Sequence, residues 1–203
     1  MTGISEIPES DRALYQCIGM NRANLSTFAD NFQRSVSLFE LLERGGGPPS
    51  TGVFGGVFIF YRIIAARDGA LNLFHFRCSL EAFRRQTEAM RRNIGIPDRD
   101  DIRTLLVELD RKLPHIDVIR NAISHAGELH DTPKKISSAI QKKRRVAHGI
   151  ETGVGGIFKE GLFEKTYSIG KDGKIFSLEI TKETASILTE VVHLANQISV
   201  TRV

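Results

Sequence analysis

Arg120, Asn121 and His125 lie together in the stretch Asp117–Ala126, and their types suit work on a phosphate. Arginine carries a fixed charge and a planar fork that matches two phosphate oxygens. Imidazole is the side chain suited to proton transfer near neutral pH. RNA can be cleaved without a metal when its own 2′-hydroxyl attacks the neighbouring phosphorus. That step needs a base for the hydroxyl, an acid for the leaving oxygen, and positive charge on the phosphate. On a helix, Arg120 and His125 stand about 140° apart, at about 100° per residue, so their long side chains can flank one phosphate. Asn121, four residues before His125, can orient the ring or bind phosphate itself. Asp117 or Glu128 can hold the Arg or the His. One imidazole does not readily serve as acid and base in one turnover, so a second copy is expected to complete the site. The same residues also admit a plainer reading, with Asp117–Arg120 an ordinary helix ion pair and Asn121 and His125 surface groups.

The spacing predicts the helix that presents them. Ile116, Ile119, Ile123 and Ala126 recur every three or four residues and share one side. Asp117, Arg120, Asn121, Ser124, His125 and Glu128 take the other. Pro114 suits the start, where its missing N–H costs nothing, and Gly127 suits the end.

An Arg followed directly by Asn, with four residues between Arg and His, resembles the signature of the HEPN superfamily. The resemblance implies an all-α bundle and a metal-independent ribonuclease. Arg120, Asn121 and His125 would then act on the RNA phosphate, commonly where two copies meet, and leave 2′,3′-cyclic phosphate ends. It therefore implies RNA and a second copy of the chain as partners. A toxin or defence role would add a protein antitoxin. The same family contains non-catalytic modules that bind nucleotide, nucleic acid or protein, and that alternative stays open.

The 203 residues are 41% hydrophobic and 26% charged, enough apolar material for a core. The net charge of +4 is compatible with an anionic partner. Cys17 and Cys78 make neither a disulfide framework nor a metal quartet. Both are expected reduced, with Cys78 in the core. His115, His130 and His148 are scattered, so no metal or other cofactor is expected. The longest uncharged run, Gly45 to Tyr61, is broken by glycines and Pro48-Pro49 and is too short to span a membrane. Its Gly-rich start lacks the Gly-Lys-Ser/Thr of a phosphate loop. The N-terminal ten residues are polar and acidic, unlike a signal peptide. A soluble cytoplasmic protein is expected.

The elements before the motif read as helices. The first runs from Ser10 or Asp11 to about Arg44, with a break near Gly19 and a stripe of Leu25, Phe28, Phe32, Val36 and Phe39. After a flexible connection, residues 53–93 form one very long helix or two in line. Val57, Phe60, Tyr61, Ile64, Leu71, Phe74, Leu80 and Phe83 keep the period, and Asp68-Gly69 is the place for an interruption. Asp68 and His75 would share a face. They are read as a salt-bridged Asp and a satisfied His rather than a second polar patch opposite the motif. Arg84, Arg85, Arg91 and Arg92 read as a solvated face. A shorter helix, capped by Asp98 or Asp100, runs to about Lys112 with Ile102, Leu105, Leu106 and Leu109 inward.

After the motif the character changes. Residues 134–150 hold Lys134, Lys135, Lys142, Lys143, Arg144 and Arg145 without an acid, leaving the rest of the chain at −2. This is either a nucleic-acid-binding arm that tracks phosphates or a solvated linker helix. Gly149 to Gly156 reads as a loop. Residues 162–169 and 174–180 read as two strands around the turn Asp172-Gly173. A last helix, capped by Thr181, carries a seam of Thr184, Leu188, Val191, Ala195 and Ile198 for bundle closure or dimer packing. The expected fold is mainly α: a HEPN-like bundle of long antiparallel helices over 1–130, a basic arm and Gly-rich loop over 131–156, and a β-hairpin with a terminal helix over 157–203, packing on the bundle.

Overall fold

The computed structural model describes residues 8–45, 53–96, 101–126, 132–140, 145–147, 150–152 and 156–198. Two long helices, α1 (Glu9–Gly45) and α2 (Val53–Asn93), form its spine. They run antiparallel, because their partners descend along α2 as they ascend along α1. Asn93 bonds to Asp11, Asn21 to Gln86, Ser35 to Asp68, and Arg62 pairs with Glu43. The break expected near Gly19 does not occur, and of one helix or two in line α2 is one. Gly19 lies inside α1, and Gly69 inside α2. The Asp68 carboxylate accepts hydrogen bonds from Ser35 Oγ at 2.6 Å and Asn72 Nδ2 at 3.1 Å. Hydrogen bonds, not a salt bridge, hold this Asp. Such tertiary ties offset the helix penalty of about 1 kcal/mol for a glycine.

Leu25, Phe32, Val36 and Phe39 of α1 are buried as their spacing predicts, whereas Phe28 is only partly covered. In α2 the expected stripe is out of phase at its start. Phe60, Tyr61 and Ile64 are exposed, and the buried line runs through Ala65, Ala66, Ala70, Leu73, Phe76, Leu80, Phe83 and Met90. The alanines let α1 approach closely, and near residue 60 both sides of α2 are apolar, so periodicity alone could not fix the face. Arg91 also departs from expectation. It is 3% exposed and forks onto Asp101 at 3.0 and 2.9 Å, which ties the end of α2 to the start of the next helix.

That helix, α3 (Asp101–Lys112), turns at Leu113–His115 into α4 (Ile116–Ser124), and both pack on α2. Ile102, Leu106, Leu109, Ile116, Ile119 and Ala122 are buried. Residues 97–100, with Asp98 and Asp100, lie outside the described residues. The motif helix α4 is shorter than the sequence suggested. Ile123 is half-buried and Ala126 is exposed beyond its end.

The basic region holds more regular structure than a loop. Thr132 caps α5 (Pro133–Ala139) by accepting the N–H of Lys135 at 3.3 Å. Short strands β1 (Arg145–Ala147) and β2 (Ile150–Thr152) then pair antiparallel within what read as linker and loop. The expected hairpin is a three-stranded meander: β3 (Glu160–Phe163), β4 (Thr166–Lys171) and β5 (Lys174–Glu179), in that order. The segment 162–169 is therefore two strands, turning at Glu164-Lys165 with φ 50° at Glu164. Neither turn residue is Gly, Asn or Pro, so no hairpin signature marked it. Asp172-Gly173 does turn as expected, with φ 51° and 68°. Tyr167, Ile169 and Leu178 join one apolar cluster with the helices. α6 (Lys182–Gln197), capped by Thr181, packs on α1 and buries Thr184, Leu188, Val191 and Ala195. Its seam thus closes the bundle.

Candidate active site on the face of α2 and α4

The apolar stripe of α4 fixes how the motif is presented. With Ile116, Ile119 and Ala122 buried, Asp117, Arg120 and Asn121 face away from the core. The Arg120 guanidinium lies over the Phe74 ring of α2, 4.7 Å from its centroid. This is a cation–π geometry, which holds a guanidinium flat against the protein. Arg120 Nη1 also donates to Asn121 Oδ1 at 2.9 Å. Asn121 therefore orients the arginine through its side chain. Its main-chain oxygen accepts the N–H of His125 at 3.0 Å.

His125 is the residue that departs most from its expected place. It is the C-cap of α4, with φ −113° and ψ 25°, rather than a member of the helical face. It is exposed and follows Arg120 and Asn121 at the C-terminal end of the same short helix. Asp117 is not the partner of Arg120. It pairs at 3.4 Å with Arg77 of α2, which also forks onto Asp110 of α3 at 2.6 and 3.0 Å. Arg77 thereby clamps α2, α3 and α4, and it was not singled out in the sequence because nothing in its spacing distinguishes it. Glu128 lies outside the described residues, as do His130 and His148.

Two further side chains border this face. Cys78, one turn beyond Phe74, is exposed instead of buried in the core. Partial burial raises its thiol pKa, as does Asp117, against the opposing pull of Arg77, Arg120 and Arg85. The thiol is thus kept in its protonated, less nucleophilic form. His75 is exposed as well. Its ring stacks on Phe28 of α1 at 5.3 Å and meets the edge of Phe74 at 5.5 Å. Phe28 reads as core in the sequence and Phe74 as one of the spaced apolar residues of α2; both are half-buried.

Of the six basic residues proposed for nucleic acid, Lys134 and Lys135 are exposed on α5. Arg145 begins β1, and Lys142, Lys143 and Arg144 lie outside the described residues. A cleft of about 470 Å³ opens elsewhere, bordered by His115, Phe176, Leu178, Glu183 and Ile187, and none of the motif residues lines it. One Glu-x-x-His spacing does occur, at Glu190 and His193 on α6. There Glu190 pairs with Lys112 and His193 with Gln197. Among the described residues no three His, Cys, Asp or Glu gather as a metal site, and no helix is long and apolar enough to cross a membrane.

No family model matches the chain, and no curated protein or solved structure does either.

Proposed function

We propose that the chain is a metal-independent endoribonuclease of HEPN type, with a toxin or defence role, in which Arg120 and His125 act on the RNA phosphate. The observation that carries this reading is the Arg120–Asn121–His125 corner at the exposed end of α4. Arg120 supplies a held positive charge, and His125, the C-cap of the same helix, supplies an exposed imidazole. In the reaction the 2′-oxygen bonds to phosphorus, the 5′-oxygen leaves, and His125 carries one of the two protons. Arg120 takes the charge that grows on the phosphate oxygens. The second proton calls for a second imidazole, and a two-fold pair of chains would bring one. That pair would form around the motif, since the α6 seam is spent inside the bundle. Lys134 and Lys135, with the rest of the basic arm, would hold the RNA. A protein antitoxin is the partner a toxin role entails.

One observation favours the second reading, a non-catalytic module that binds nucleotide, nucleic acid or protein through the same face. Arg120 is pinned by Phe74 and Asn121, an arrangement that serves binding without chemistry. Purified protein incubated with RNA in a chelator decides between them. The ribonuclease reading expects cleavage with 2′,3′-cyclic phosphate ends and a dimer in sedimentation. Binding without cleavage would leave the module.

A further inference from the structure

Phe28, Phe74 and His75 form an aromatic run that ends beneath the Arg120 guanidinium. The centroid steps are 5.3 Å from Phe28 to His75 and 5.5 Å from His75 to Phe74, and the arginine carbon lies 4.7 Å from Phe74. The run differs from the aromatic core. Phe32, Phe76 and Phe83 are fully buried, whereas His75 is exposed and its two aromatic neighbours are half-covered. The exposed member is an imidazole stacked on Phe28, and the run adjoins a guanidinium.

We infer that the run is a stacking platform for an unpaired nucleobase of the strand whose phosphate Arg120 would take. The inference rests on the RNA reading above. Every nucleobase offers a flat π face, and stacking on an aromatic side chain accepts it without regard to its hydrogen-bonding edge. A base inside a duplex is already stacked and paired, and cannot reach such a ring. A phosphate on Arg120 and a base on His75 are separated by a single ring, Phe74, which suits neighbouring parts of one strand. The site therefore selects single-stranded segments, with little preference for base identity. The Phe28 stack at 25° holds the His75 plane in place, so the platform exists before the strand arrives.

The chain has no Trp, so His75→Trp installs a single fluorescent reporter on the platform. The probe is an end-labelled oligoadenylate with 2′-O-methyl groups, in which the attacking hydroxyl is blocked. Anisotropy of the label reads binding, and Trp emission reads stacking. The expected result is quenching by the single strand, and none by its abasic counterpart or by a duplex. His75→Ala should bind the single strand about tenfold more weakly, at the lower end of stacking on an aromatic side chain. Binding that leaves Trp emission unchanged, or equal quenching by the abasic strand, would overturn the platform while the RNA reading stands. No binding of any RNA would remove both.

Discussion

At the scale of single residues, the arginine and the histidine of the motif are held by different means, so their substitutions should differ in kind. Arg120 is half-buried, lies on Phe74 and bonds to Asn121. If the chain is the ribonuclease proposed above, Arg120→Ala should weaken both RNA binding and rate, because its charge would act in the ground state and in the transition state. Arg120→Lys should not restore them, since an ammonium has neither the fork nor the flat stack. His125 is exposed beyond the last turn of α4. His125→Ala should cut cleavage roughly a hundredfold or more while the melting temperature and the oligomeric state stay unchanged. Single-turnover rates with calorimetry check this, and equal rates for His125→Ala and the parent would remove the imidazole from the mechanism. Type and spacing are what single these residues out in the sequence. The sequence does not reveal that Phe74 lies beneath Arg120 or that Arg77 clamps three helices, because the spacing of neither residue tells what it meets across the bundle.

At the scale of elements, long periodic segments were legible and short ones were not. The helices α1 and α2 were read almost to their ends, since their runs of spaced apolar residues outlast any local ambiguity. The register of α2 near residue 60 and the turn at Glu164-Lys165 were missed, because a uniformly apolar stretch has no phase and that turn has no special residue. Glycine shows how packing overrides propensity. A Cβ on Gly19 would meet nothing within 4 Å, so Gly19→Ala should raise stability by about 0.5–1 kcal/mol through helix propensity. Gly170 is the opposite case. Its N–H donates to Lys159 at 2.7 Å, and a Cβ there would run into the Phe158 carbonyl. Gly170→Ala should cost about 1–3 kcal/mol as an overpacked site. Urea titrations that place the two changes on the same side of the parent would contradict this. The basic arm has its own test. If it tracks phosphates, Ala at Lys142, Lys143, Arg144 and Arg145 should reduce the log–log salt slope of RNA binding by about 0.7–0.9 per lost contact. An unaltered slope would make the run a solvated surface.

At the scale of the whole molecule, one carboxylate joins three parts of the fold. Glu40, near the end of α1, pairs with Lys182 of α6 at 3.1 Å and with Lys165 of the β3–β4 turn at 3.5 Å. The hydrogen bond from Lys182 is the chief reason its pKa falls below the ordinary glutamate value of 4.5, with Lys165 adding to it and partial burial opposing. Glu81 beside Arg84 and Glu108 beside Arg111 are lowered in the same way. A carboxyl with a depressed folded-state pKa binds its proton less readily folded than unfolded. Its contribution to stability is therefore complete above the unfolded value and disappears as the pH drops through the folded one. Thermal stability should thus be flat from pH 7 to about 5 and fall steadily below the ordinary glutamate range. Glu40→Gln should melt below the parent at pH 7, and the gap between the two curves should narrow as the pH falls below the ordinary glutamate range, where the parent carboxyl takes up its proton. Circular dichroism melts across this range test the point. A difference that persists undiminished at pH 3 would mean that Glu40 acts through its shape and packing, and that its charge does not hold α1, the sheet and α6 together.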